Sequence, residues 1–129
     1  MNKLEPFHNQ PYLNLETIRK SGVGVKTPVW FVEDGDILYV RTVTNSGKVK
    51  RIHNKQHVNI APCKVDGTPL GDWISVRARE VKEPEIDLKV DHLLDKKYGL
   101  MKKMFSWLSF GKGREFTTLE LKEGEKNEG

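Results

Sequence analysis

The chain has 129 residues, 36% hydrophobic and 31% charged, with a formal net charge of +4, which fits one soluble domain around a single modest core. No apolar run approaches the roughly 20 residues needed to cross a bilayer. The opening Met1-Asn2-Lys3-Leu4-Glu5-Pro6 lacks an apolar signal core, so no membrane association and a cytoplasmic location are expected.

Leu13, Leu15 and Thr17 alternate with Asn14, Glu16 and Ile18 and run into Lys20-Ser21-Gly22, which predicts one arm of a hairpin. Val23 to Glu33 reads as a single strand, in which Pro28 requires an edge position or a bulge. Asp34-Gly35 is a two-residue turn signal, and Ile37 to Thr42 alternates again. Three strands pairing in sequence, a meander, are expected.

The stretch from Tyr39 to Lys55 carries the most chemical information. No Asp or Glu occurs between Ile37 and Val65, whereas Arg41, Lys48, Lys50, Arg51, Lys55 and Lys64 are all basic. Ser46-Gly47-Lys48 reads as the start of a helical turn, whose unpaired N–H groups and positive dipole end would face an anion. A basic, hydroxyl-bearing turn of this kind predicts a receiver for the phosphate of a nucleotide-like cofactor.

Beyond it, His57 to Lys64 is a predicted strand bent at Pro62, and Asp66 to Gly71 is turn chemistry throughout. Asp72 to Lys82 forms a long strand with Arg77 and Arg79 on one face. Ile86, Val90, Leu93, Leu94 and Tyr98 recur at helical spacing, with Gly99 placed as a C-terminal cap. A second helical piece is predicted over Leu100 to Leu108, and a last strand over Arg114 to Leu121. Five or six antiparallel strands with a helical excursion before the last describe a small closed or partly open barrel. Residues 1–122 are expected to form one domain and 123–129 a charged, flexible tail.

Four segments in order carry a family resemblance: Lys26 to Phe31, Asp34 to Thr42, Ser46 to Ile52, and Asn59 to Cys63. Together they resemble the pyridoxamine 5'-phosphate oxidase-like superfamily, and within it the flavin- or deazaflavin-dependent oxidoreductases. The resemblance implies a mostly β fold: an FMN-binding split β-barrel of about six antiparallel strands plus a C-terminal helical segment. It implies a homodimer holding FMN or coenzyme F420 at the subunit interface, and a small conjugated substrate. By the same likeness Thr42, Ser46, Lys48, Lys50 and Arg51 would hold the phosphate. Thr27, Pro28, Val29 and Trp30 would line the ring system, and Ala61, Pro62 and Cys63 would flank it. The C-terminal arginine/histidine pattern of true pyridoxamine-phosphate oxidases is not visible, so vitamin interconversion is not expected. The excess of Lys over Arg, 16 to 6, hints at an AT-rich genome and leans the cofactor toward FMN.

No acid–base pair is evident, and none is required where the cofactor ring carries the redox steps. A carrier or sensor for flavin, a tetrapyrrole-like molecule or another planar ligand is the first alternative. A barrel binding single-stranded nucleic acid is the second, disfavoured because only Tyr39 accompanies the basic stretch. Cys63 stands alone, which excludes an internal disulfide and a cysteine-built metal centre; a buried inert thiol is expected there. His53 and His57 lie four apart but cross a predicted helix end, so metal binding is not expected.

Overall fold

Alternating apolar side chains build seven strands into one antiparallel sheet. They are β1 (Tyr12–Ile18), β2 (Gly24–Val29), β3 (Val32–Asp34), β4 (Ile37–Val43), β5 (His57–Cys63), β6 (Ile74–Val81) and β7 (Phe116–Lys122). Helix α1 (Gly47–Asn54) joins β4 to β5, and α2 (Pro84–Tyr98) lies between β6 and β7. The computed structural model describes residues 3–99 and 115–124. The helical piece expected at Leu100 to Leu108, and residues 125–129 of the expected tail, lie outside the described residues.

The strand order is β2-β1-β5-β6-β7-β4-β3, so β2 and β3 occupy opposite edges although only Trp30 and Phe31 separate them in the chain. Three residue steps reach at most about 11 Å. Seven strands laid flat would hold their edges roughly 29 Å apart. The sheet therefore curls until its edges meet, giving a barrel split at the β2–β3 seam.

Both expected hairpins form, β1 with β2 and β3 with β4, but they do not join into one meander. Val23 to Glu33 is two strands broken at Trp30-Phe31, and β2 pairs with β1 while β4 pairs with β3 and β7. The link from β3 to β4 is Gly35-Asp36, one residue later than expected, with Gly35 supplying φ +61°. Pro28 does lie on an edge strand, opposite Asn14 of β1.

Inside the barrel, Leu13, Leu15, Leu38, Val40, Val58, Ile60, Val76, Ala78, Leu119 and Leu121 pack together. α1 adds Val49 and Ile52, three residues apart and hence on one helix face, to the same core. A second cluster forms outside the sheet, where Val90, Leu94 and Tyr98 of α2 cover Val32 and Tyr39. α2 begins at Pro84, carries Glu85 and Asp87 in its first turn and Lys96 and Lys97 in its last, and ends at Gly99 with φ +51°. Each feature satisfies a helix end or its dipole.

Two of the arginines, Arg41 and Arg79, are engaged in holding the fold together. Arg41 donates from Nη1 to Asp91 at 2.8 Å, from Nη2 to the Asp87 carbonyl at 3.2 Å and from Nε to Thr118 at 3.2 Å, docking α2 on the sheet. Arg79 pairs across β6 and β7 with the buried Glu120, at 2.8 Å.

Candidate functional site

The basic turn forms as its sequence predicts. Ser46 caps α1, its hydroxyl accepting from the Val49 N–H at 3.5 Å, so this side chain is committed to its own helix. Gly47 follows, and the place a Cβ would take there is occupied by the tip of the Arg51 side chain, with Nη1 2.6 Å away. The bare backbone lets the guanidinium fold back over the first turn, while Arg51 Nε donates to Thr17 of β1 at 2.6 Å. Burial, and then the nearby Arg51 charge, push the Lys48 ammonium below its ordinary range. No carboxylate reaches ion-pair distance of Lys48 or Arg51 among the described residues. The result is two adjacent cations beside a helix start whose first N–H groups have no intrahelical partner. Chemically, that arrangement suits a phosphate oxygen cluster.

Lys50 is not part of it. Two residues turn a helix by roughly 200°, so Lys50 faces away from Lys48, whereas Arg51, three residues on, returns to within about 60°. Lys50 is exposed. Thr42 is buried near the end of β4, opposite Thr117. Thr17 is the member that sequence reasoning missed; its signal was a hydroxyl continuing the inward apolar alternation of Leu13 and Leu15.

Strand pleat divides the residues nominated to line a ring. Thr27 and Val29 stand in register with Leu15 and Leu13 and face the barrel interior, as does Pro62, also in register with Leu13. Pro28, Ala61 and Cys63 point to the other face. There Pro28 and Ala61 flank Asn14, their common register partner, in a row across three strands. The loop 64–72 packs over Asn14 and leaves Pro28 exposed: Asn14 Nδ2 donates to the Gly67 carbonyl at 2.8 Å, and Cys63 bridges to Pro69. Cys63 is buried, and burial with the Asp66 charge raises its thiol pKa, consistent with an inert thiol. Trp30 stacks on Tyr98 with ring centroids 4.1 Å apart and planes 6° from parallel, so one of its faces is taken by α2.

A different cluster lies at the far end of α1. Glu80 accepts from Thr117 at 2.6 Å and from His53 Nε2 at 2.7 Å. Burial alone would raise this carboxyl, but those two hydrogen bonds hold its pKa below the ordinary value. Around it Ile52, His53, Gln56, Arg79 and Lys82 line an open recess of about 440 Å³. None of the nominated cofactor residues lines this recess. His57 pairs in register with Arg77, away from His53, and no metal-binding group of His, Cys, Asp and Glu occurs among the described residues.

No family model and no curated protein matches the chain. Solved structures do. A candidate pyridoxamine 5'-phosphate oxidase from Listeria innocua superposes with a TM-score of 0.65 at 12% identity, covering 95% of this chain and 90% of that one. The heme storage protein of Vibrio cholerae gives 0.68 at 14% identity, covering 91% and 84%. A protein described as an F420 reductase gives 0.59 at 17% identity, covering 97% and 95%. At these identities the likeness establishes architecture, and the chain has the split β-barrel fold of the pyridoxamine 5'-phosphate oxidase-like flavin and F420 proteins.

Proposed function

We propose that the chain is a flavin-type cofactor-binding oxidoreductase, using FMN or coenzyme F420, with the anionic end of the cofactor on the first turn of α1. One observation carries the reading: Lys48 and Arg51 stand side by side there, and no carboxylate among the described residues neutralises either. Neighbours of the same fold include an F420 reductase and an FAD-binding protein, which supports a planar redox cofactor over other phosphate ligands. The donor set fits the anionic end of such a group, with two cations and the unpaired N–H groups of the helix start for a phosphate. When bound, the cofactor supplies the hydride or electron step. Lys48 and Arg51 bind and orient its phosphate, and Thr17 holds the Arg51 fork in place. A homodimer with the cofactor groove at its interface completes the proposal, and a small conjugated molecule is the substrate class.

The likeness to a heme storage protein favours one second reading, a carrier of a planar ligand without turnover. The visible absorption spectrum of the purified protein, followed by titration with FMN, coenzyme F420 and hemin, separates the ligands. Turnover with reduced cofactor then separates enzyme from carrier. Dilution of the loaded protein to monomer is expected to release the cofactor, and retention by a proven monomer contradicts the interface site.

A further inference from the structure

Along β6 the inward register runs Val76, Ala78 and then Glu80, which stands opposite the core residue Leu119. A carboxylate therefore occupies a position where the alternation calls for an apolar side chain. Its side chain is 7% exposed. Burying a carboxylate is costly unless protein donors replace the lost water. Here Thr117 donates to one oxygen at 2.6 Å and His53 Nε2 to the other at 2.7 Å, with Lys82 Nζ 3.8 Å away. Arg79, on the outer face of the same strand, is turned to Glu120 instead. The acid thus spends one whole oxygen on a helix that already has its own apolar anchor.

The geometry of α1 gives that bond a purpose. The helix lies against β1 on one side and β6 on the other. Val49 and Ile52 set its core-facing direction. At roughly 100° per residue, Lys48 then stands about 70° to one side of that direction and His53 about 70° to the other, with Arg51 on the Lys48 side. Two side-chain hydrogen bonds join α1 to strands, and they are opposed. Arg51 to Thr17 holds the flank that carries the cations, and His53 to Glu80 holds the flank away from them. Apolar contact is non-directional and resists rolling weakly, whereas opposed hydrogen bonds resist it in both senses. A roll of about 20° carries an atom roughly 6 Å from the helix axis by about 2 Å, enough to break a phosphate contact.

We infer that Glu80 is a positioning residue for the proposed phosphate turn: through His53 it fixes the roll of α1, and with it the direction of Lys48, Arg51 and the first-turn N–H groups. The inference rests on the proposed flavin-type function and deepens it. Glu80 touches neither phosphate nor ring, because it binds the opposite flank of the helix.

Fluorescence titration with FMN and with riboflavin tests this, the readout being the Kd for riboflavin divided by that for FMN. If the chain takes the deazaflavin, coenzyme F420 and its phosphate-free ring fragment replace that pair. The ratio isolates the phosphate contribution, so a general loss of stability that weakens both ligands leaves it unchanged. His53→Ala and Glu80→Leu are expected to lower the ratio roughly three- to fivefold, less than Lys48→Ala, since the loss cannot exceed the worth of the hydrogen bond removed. His53→Gln places an amide donor near the former Nε2, and Glu80→Gln keeps an acceptor for His53, so both are expected to retain most of the ratio. His53 is more than half exposed, so His53→Ala reports even where a Glu80 variant folds poorly. An unchanged ratio in His53→Ala overturns the inference while the proposed function stands. A loss in His53→Gln as large as that in His53→Ala overturns it as well. A wild-type ratio near one, or failure to bind either FMN or coenzyme F420, overturns the proposed phosphate site and this inference together.

Discussion

Lys48→Ala is the perturbation that bears most directly on the proposed phosphate site. A charge-assisted hydrogen bond contributes about 1.5–3 kcal/mol. Lys48 is only partly buried, which places it near the lower end of that range, so removing it should raise the Kd for FMN roughly tenfold. Arg51 offers two nitrogens in a fixed fork and its Nε is already held by Thr17, so Arg51→Ala should cost more, roughly thirtyfold or above. That variant also loses the Thr17 bond, about 1 kcal/mol of stability without any ligand. Lys50→Ala is the internal control: exposed and turned to the far side of α1, it should shift the Kd less than about twofold. The assay is flavin fluorescence titration with FMN and, in parallel, riboflavin, which has the same ring and no phosphate. Lys48→Ala should weaken FMN and leave riboflavin unchanged. Affinity for FMN in the wild type should also fall as pH rises through the lowered Lys48 pKa, because the ammonium is then lost. Equal losses from Lys48→Ala and Lys50→Ala, or a riboflavin loss matching that for FMN, would refute the assignment of the phosphate to this turn.

Arg41→Ala should destabilise the fold by about 2–3 kcal/mol in urea denaturation, since Asp91 and Thr118 lose their partner at the α2 interface; a variant that unfolds at the wild-type urea midpoint contradicts that role. Tyr98→Phe should cost about 1–3 kcal/mol, because the hydroxyl accepts from the buried Phe31 N–H at 3.0 Å and lies 2.8 Å from the Pro11 carbonyl. Lys97 packs 3.6 Å over the Phe31 ring, and burial lowers its pKa from 10.5 to about 8. Between those values the unfolded chain binds more protons than the folded one, so this group's contribution to stability rises with pH across that window. The melting temperature of Lys97→Met relative to wild type should therefore be highest near pH 7 and decline toward pH 10; a difference independent of pH shows that Lys97 titrates normally.

Local signals in the chain were enough to determine most of its elements. Period-two alternation marked β1, β4, β6 and β7, Ser46-Gly47 opened α1, and Pro84 with Gly99 bounded α2, because caps, turns and pleat are fixed by residues a few positions apart. The basic start of α1 was legible for the same reason. The two hairpin pairings were legible too, but the long-range strand partners were not. Only the closed sheet sends β2 and β3 to opposite edges across a two-residue link, and a pairing across the whole chain leaves no mark on its neighbours in sequence. Tertiary structure likewise decided which cations remain available. Arg41 was drawn to Asp91 and Arg79 to Glu120, while Lys48 and Arg51 were left beside the helix start. Glu80 shows the same limit. Its sequence context is an ordinary alternating strand, and its inward carboxylate is tolerated only because His53 and Thr117 converge on it from distant segments.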